Sequence, residues 1–150
     1  MSMPSEQAMQ TLHQLLEQMN ICAEQLESIT RDEYEAIRSL DAETILQLGD
    51  QRILAHQCLE QLEQQCRNLF SETQLSGQVT LSAMIDMYAG IDASEFQALR
   101  RNLYERIVKV NRQSQENRMR LHAAYNVSTT ILQSLGLSNA EQTYQRRMPG

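Results

Sequence analysis

The chain has 150 residues, enough to bury a sizeable core, and only five Gly and two Pro, so turns are few and helices long. No apolar run is long enough to span a bilayer, and the polar start MSMPSEQAMQ is unlike a secretory signal. Three cysteines, Cys22, Cys58 and Cys66, suit a reduced, cytoplasmic chain better than a disulfide framework.

Pro4 and Ser5 open the first predicted helix, Ser5 as the cap. Its seam runs Leu12, Leu15, Met19, Cys22, Leu26, Ile29, Glu33, Ala36, Leu40 in alternating steps of three and four. Leu16, Ile21 and Ile37 widen that stripe, which suits a helix with two neighbours. Glu33 is the one charged seam position, and a solvent-reaching edge is its simplest reading. At Ser39-Leu40-Asp41 no Gly or Pro forces a break, yet the seam restarts at Ile45, Leu48, Arg52, Ala55, Leu59, Leu62, Cys66, Leu69. A turn is therefore expected, with Asp41 and Thr44 capping a second helix. Gly49 inside that helix costs about 1 kcal/mol relative to Ala, which points to close packing or to local weakness.

Residues 71–79 (SETQLSGQV) read as a loop pivoting on Gly77. Thr80 caps a short helix that Gly90 closes. Its Leu81, Met84, Ile85 and Tyr88 share one face, and it is expected to plug one end of a bundle. Asp92 and Glu95 have capping-box spacing at the start of a long helix that Gly136 ends. The seam of this helix is Leu103, Ile107, Val110, Ser114, Asn117, Leu121, Ala124, Ser128, Ile131, Leu135. At 1.5 Å per residue it runs roughly 60 Å and needs partners along its length. A second apolar line, Tyr104, Val108, Tyr125 and Leu132, lies beside the seam. Either another helix covers it, or it is a groove left open for an amphipathic helix of another protein.

The fold expected is all-α: an elongated antiparallel helical bundle or coiled coil in one domain. Three long helices, about 5–40, 42–70 and 93–135, are joined by a short one at 80–89, and the tail 137–150 is expected to be mobile. Tyr144 is the lone aromatic of that tail and a plausible docking residue.

The net charge of −6 conceals an asymmetry. Residues 1–70 carry 12 acids and 4 bases, and residues 92–150 carry 5 acids and 9 bases. An acidic pair of helices packing on a basic one is the simplest explanation. The bases Arg100, Arg101, Arg106, Lys109, Arg112, Arg118 and Arg120 scatter around the helix without a base-stacking motif, which argues against nucleic acid. No catalytic constellation is present. His13, His56 and His122 fall on three different helices, and no phosphate loop, nucleophile elbow or HExxH occurs. His56 and Glu60 have metal-ligand spacing, but one such pair is common by chance. An enzyme is not expected, nor a metal or cofactor. Of eight Met residues, Met84, Met87 and Met119 are candidates for an adaptable helix-binding surface, with core filling as the alternative.

Three stretches in order resemble the FlgN family of flagellar type III export chaperones. DAETILQLGDQRILAHQCLEQLEQQCR (41–67) is similar to that family's second-helix region, with Arg52 where Lys is usual. VNRQSQEN (110–117) resembles its Leu-Asn segment with a later Asn, here Asn117, and TYQRRMPG (143–150) resembles its Tyr and Gly-containing tail. The resemblance implies a cytoplasmic chaperone that binds the C-terminal helices of the hook–filament junction proteins FlgK and FlgL. Such a chaperone prevents premature assembly and delivers these subunits to the export gate. It implies a cargo site toward the C-terminal helix, where Leu121, Tyr125, Ile131, Leu132 and Leu135 are the candidates. It also implies docking of Tyr144 on the gate protein FlhA. A structural coiled-coil adaptor and a chaperone for another type III cargo stay open, as does self-association.

Overall fold

The computed structural model describes residues 5–70 and 80–136, and among them there is no strand. Four α-helices follow in order: α1 (Glu6–Arg38), α2 (Ala42–Phe70), α3 (Leu81–Tyr88) and α4 (Ala93–Ser134), with a 3-10 turn at Gly90–Asp92 before α4. The loop expected at 71–79, the tail from 137 and Tyr144 lie outside the described residues.

Local chemistry sets the boundaries. Ser5 caps α1, its Oγ accepting from the Ala8 N–H at 3.0 Å. Thr80 caps α3 in the same way, through the Ala83 N–H at 3.2 Å. Gly90 and Gly136 take the left-handed conformation, with φ of 61° and 72°. The break after α1 is built without glycine. The Asp41 N–H donates to the Ala36 carbonyl at 2.9 Å and the Leu40 N–H to that of Ile37 at 3.1 Å, which is the paired bonding of a Schellman motif. The left-handed position is occupied by Leu40, with φ of 55°. Asp41 then caps α2, accepting from the Thr44 N–H at 3.2 Å and from its hydroxyl at 2.6 Å. Those bonds hold the Asp41 carboxyl below its ordinary range. A Cβ in the left-handed region is unfavourable, and Leu40 is exposed with nothing to lose. Leu40→Gly is expected to stabilise the chain by about 1 kcal/mol, read as a raised thermal midpoint by circular dichroism.

One expected cap is not made. Asp92 has φ −88° and ψ 2° instead of an extended cap conformation, and its side chain accepts no capping bond. The 3-10 turn bends the chain into α4 at that point, and Glu95 turns to α1 instead. His13 is held between Glu17, 2.9 Å from Nδ1, and Glu95, 2.9 Å from Nε2, with its ring edge-on to Phe96. This clasp ties the lower end of α1 to the start of α4.

α1 is the central helix, packing closely on α2 and on α4, while the α2 and α4 backbones stay apart. α2 runs antiparallel to α1. α4 runs parallel to α1, since cross-contacts climb together: Asn20 with Leu99, Glu27 with Arg106, Thr30 with Asn117, Tyr34 with Arg120. The lower core joins Leu12, Leu15, Leu16 and Met19 of α1 to Leu62 of α2, Met84 and Ile85 of α3, and Phe96 and Leu103 of α4. α3 does plug one end, with Ile85 fully buried and Leu81 and Tyr88 packed against the cluster. The upper core is thinner: Leu26, Ile29, Ala36, Leu48, Ala55 and Val110, with no share from α3.

Candidate functional site

The seam of α4 is satisfied only part of the way. Leu103, Val110 and Asn117 are buried, and Ile107 and Ser114 half-buried. From Leu121 to Gly136 every residue is exposed except Ala124 and Thr129, which are half-buried. The register explains this. Arg120 lies 4.9 Å over the Tyr34 ring, and α1 ends four residues after Tyr34, at Arg38. The last turns of α4, about ten residues or roughly 15 Å, therefore project past the α1–α2 turn. Of the five candidate residues Tyr125, Ile131 and Leu132 are on this stretch, Leu135 stands at its end and Leu121 lies just below it. Tyr125 is 67% exposed and Leu132 42%, and Leu121, Ile131 and Leu135 are open as well. Leu121, Tyr125 and Leu132 follow one another at four and seven residues and share a face. Ile131 and Leu135 continue the seam where α1 has already ended. Tyr104 and Val108, lower on the second line, are also exposed. No described helix covers that line.

Just below the projection the three long helices meet in a polar layer. Arg52 of α2 donates to Ser114 Oγ of α4 and to Thr30 Oγ1 of α1, each at 2.9 Å, and pairs with Glu33 of α1. The Thr30 hydroxyl donates to the Leu26 carbonyl at 2.7 Å, and the Asn117 amide donates to the Thr30 carbonyl at 2.9 Å. Glu33 is thus not a solvent-reaching edge. Its side chain is 16% exposed and that of Arg52 18%, so the charged seam positions of α1 and α2 neutralise each other inside the bundle. Among the described residues every buried side-chain nitrogen and oxygen has a partner.

Above and beside this layer is a cleft of about 470 Å³ between α2 and α4, floored by α1. Ile45, Arg52 and His56 form the α2 wall, Glu33 and Ile37 the floor, and Asn111, Ser114, Gln115, Arg118 and Leu121 the α4 wall. Leu121 joins the cleft to the projecting face. Partial desolvation, then the Arg52 charge, lowers the His56 pKa from its ordinary 6.5. The neutral ring is favoured in the folded chain, so the unfolded chain binds the extra proton. Stability is therefore lost as pH falls below 6.5 through the lower folded value. An NMR titration of the His56 ring is expected to show this depressed midpoint.

The expected charge pairing between helices is mostly absent. Of the α4 bases only Arg106 reaches α1 carboxylates, Glu24 at 3.3 Å and Glu27 at 3.1 Å. Arg120 pairs within α4, with Glu116. Arg101, Lys109, Arg112 and Arg118 have no carboxylate partner among the described residues. Of the three methionines singled out, Met84 is core, while Met87 and Met119 are exposed. Among the described residues no helix is long and apolar enough to cross a membrane.

A helical scaffold with a clasped lower end, a locked middle and an apolar upper end that no described element covers has the form that helix-in-groove recognition uses. The chain matches the FlgN protein family over residues 3–148, nearly its whole length, and belongs to it. FlgN proteins are non-enzymatic flagellar export chaperones for the hook-associated proteins FlgK and FlgL. No curated protein and no solved structure matches the chain.

Proposed function

We propose that the projecting face of α4 holds the C-terminal helix of FlgK or FlgL, with Leu121, Tyr125, Ile131, Leu132 and Leu135 as the contact residues. The observation that carries this reading is the exposure of all five toward an end of α4 that no other described element covers. Apolar rows at helical spacing gain most from an amphipathic partner. Holding that helix in the cytoplasm keeps the subunit from assembling early, because the segment that would pack against its neighbours is occupied. Release then needs only a competitor for the same apolar rows.

The test is a titration of the chain, and of a Tyr125→Ala, Leu132→Ala variant, against FlgK and FlgL C-terminal segments. Unchanged affinity with helicity intact would remove these residues from the site.

Delivery requires a second contact. We infer that Tyr144 docks on FlhA, supported by the resemblance of the tail. Tyr144→Ala is expected to leave FlgK affinity intact and to abolish capture by FlhA. Equal capture would assign docking elsewhere.

A further inference from the structure

We propose that the cargo helix is taken up as the fourth helix of the bundle, seated between α2 and α4 directly above α3, with an acidic residue against Arg118. This rests on the cargo reading above and adds a second wall, a register and a charge to it.

α1 packs on both α2 and α4, which do not pack closely on each other. That is the arrangement of three corners of a four-helix bundle whose fourth corner is open. α3 fills only the foot of that corner. Gln97 of α4 holds α3, its amide donating to the Ser82 carbonyl and to Asp86 Oδ1, each at 2.8 Å. Steps of seven from Gln97 lead to Tyr104, Asn111, Arg118, Tyr125 and Leu132, so one line of α4 faces the same corner throughout. α3 covers its start, Asn111 and Arg118 line the cleft, and Tyr104, Tyr125 and Leu132 are exposed. From Tyr104 to Leu132 this line of α4 is about 42 Å long, room for a helix of roughly eight turns; α2 faces it only up to the α1–α2 turn, and above that the projecting end of α4 is the one wall.

The opposite wall is the row Ile45, Gly49, Arg52, His56 of α2, again at steps of four and three. Gly49 weakens α2, yet a Cβ added there would meet nothing within 4 Å. No neighbour among the described residues uses the space a glycine leaves. A helix laid in the trough would, because small residues let helix backbones come close.

Charge defines the occupant. The α2 row carries no acid. α4 carries seven bases and three acids, and Arg118 lines the cleft with no ion-pair partner among the described residues, the Glu33 carboxylate on the floor being held by Arg52. The walls are apolar at both ends, at Tyr104 with Val108 and at Leu121 with Tyr125 and Leu132, and polar and basic between. The matching helix has two apolar patches flanking an acidic residue.

The probe is a fluorescent FlgK C-terminal segment, titrated with the full chain and with Gly49→Leu and Arg118→Glu. Both sites are open to solvent on the trough side, so the variants are expected to retain wild-type helicity by circular dichroism. Gly49→Leu is expected to weaken binding about tenfold by filling the seat. Arg118→Glu is expected to do so by about the same factor, with recovery when the central acid of the segment is changed to Lys. Either folded variant binding like the wild type overturns the fourth-helix seat while the cargo reading stands. A wild-type chain that fails to bind the segment overturns the cargo reading itself.

Discussion

Arg52→Ala is expected to destabilise the chain by about 3 kcal/mol, the typical cost of removing one partner from a buried ion pair. The guanidinium serves three groups at once, the Glu33 carboxylate and the Thr30 and Ser114 hydroxyls. Its loss strands Glu33, whose side chain is only 16% exposed, and removes the bond that joins α2 directly to α4. For a chain of this length the thermal midpoint is expected to fall by roughly 6–12 °C. The double change Arg52→Met, Glu33→Leu removes both charges together and is expected to be near neutral, since apolar replacement of a buried pair often is. Calorimetric scans of the two variants separate these outcomes. If the single variant melts with the wild type, the polar layer does not hold the helices together.

Tyr125→Ala with Leu132→Ala is expected to behave in the opposite way, sparing the fold and removing function. Both side chains are exposed in the free chain, so stability is expected to move by less than about 0.5 kcal/mol. Against a bound helix they become buried. A large apolar side chain gains about 1.5–3 kcal/mol on full burial, and these two begin partly covered. Together they are expected to supply about 3 kcal/mol of cargo binding, roughly a hundredfold in Kd. Isothermal titration against the FlgK segment measures this directly. A loss of only a factor of two or three would place the grip on other residues.

Much of this architecture was legible in the spacing of apolar residues. The α1 seam from Leu12 to Ala36 is buried apart from Glu33, which the polar layer takes in, because three-four repetition over many turns has one physical meaning. Surplus apolar residues at Tyr104, Val108, Tyr125 and Leu132 likewise marked a face that either needed a cover or lacked one. What stayed illegible depends on placement between helices. Glu33 and Arg52 were each visible as charges in an apolar seam, but their meeting requires the register that the Leu40 turn sets. The restart of the seam at Ile45 and the Asp41 cap placed that turn although Leu stands where glycine usually does, but not the register it imposes. The Asp92–Glu95 box had the right letters, and tertiary packing overrode it when Glu95 found His13. The cleft was hidden for the same reason: nothing in the α2 or α4 sequence says that the two helices stand apart. Gly49 was read as close packing or weakness, and the empty space beside it shows that no internal contact requires it.

Amide hydrogen exchange of the chain with and without the FlgK segment tests most directly whether the projecting end of α4 is the cargo site. Slowed exchange concentrated in residues 118–134 is the expected result, because a helix end without neighbours opens readily until a partner packs on it. Exchange there that is unchanged at saturating segment, with protection appearing at other helices instead, would contradict it.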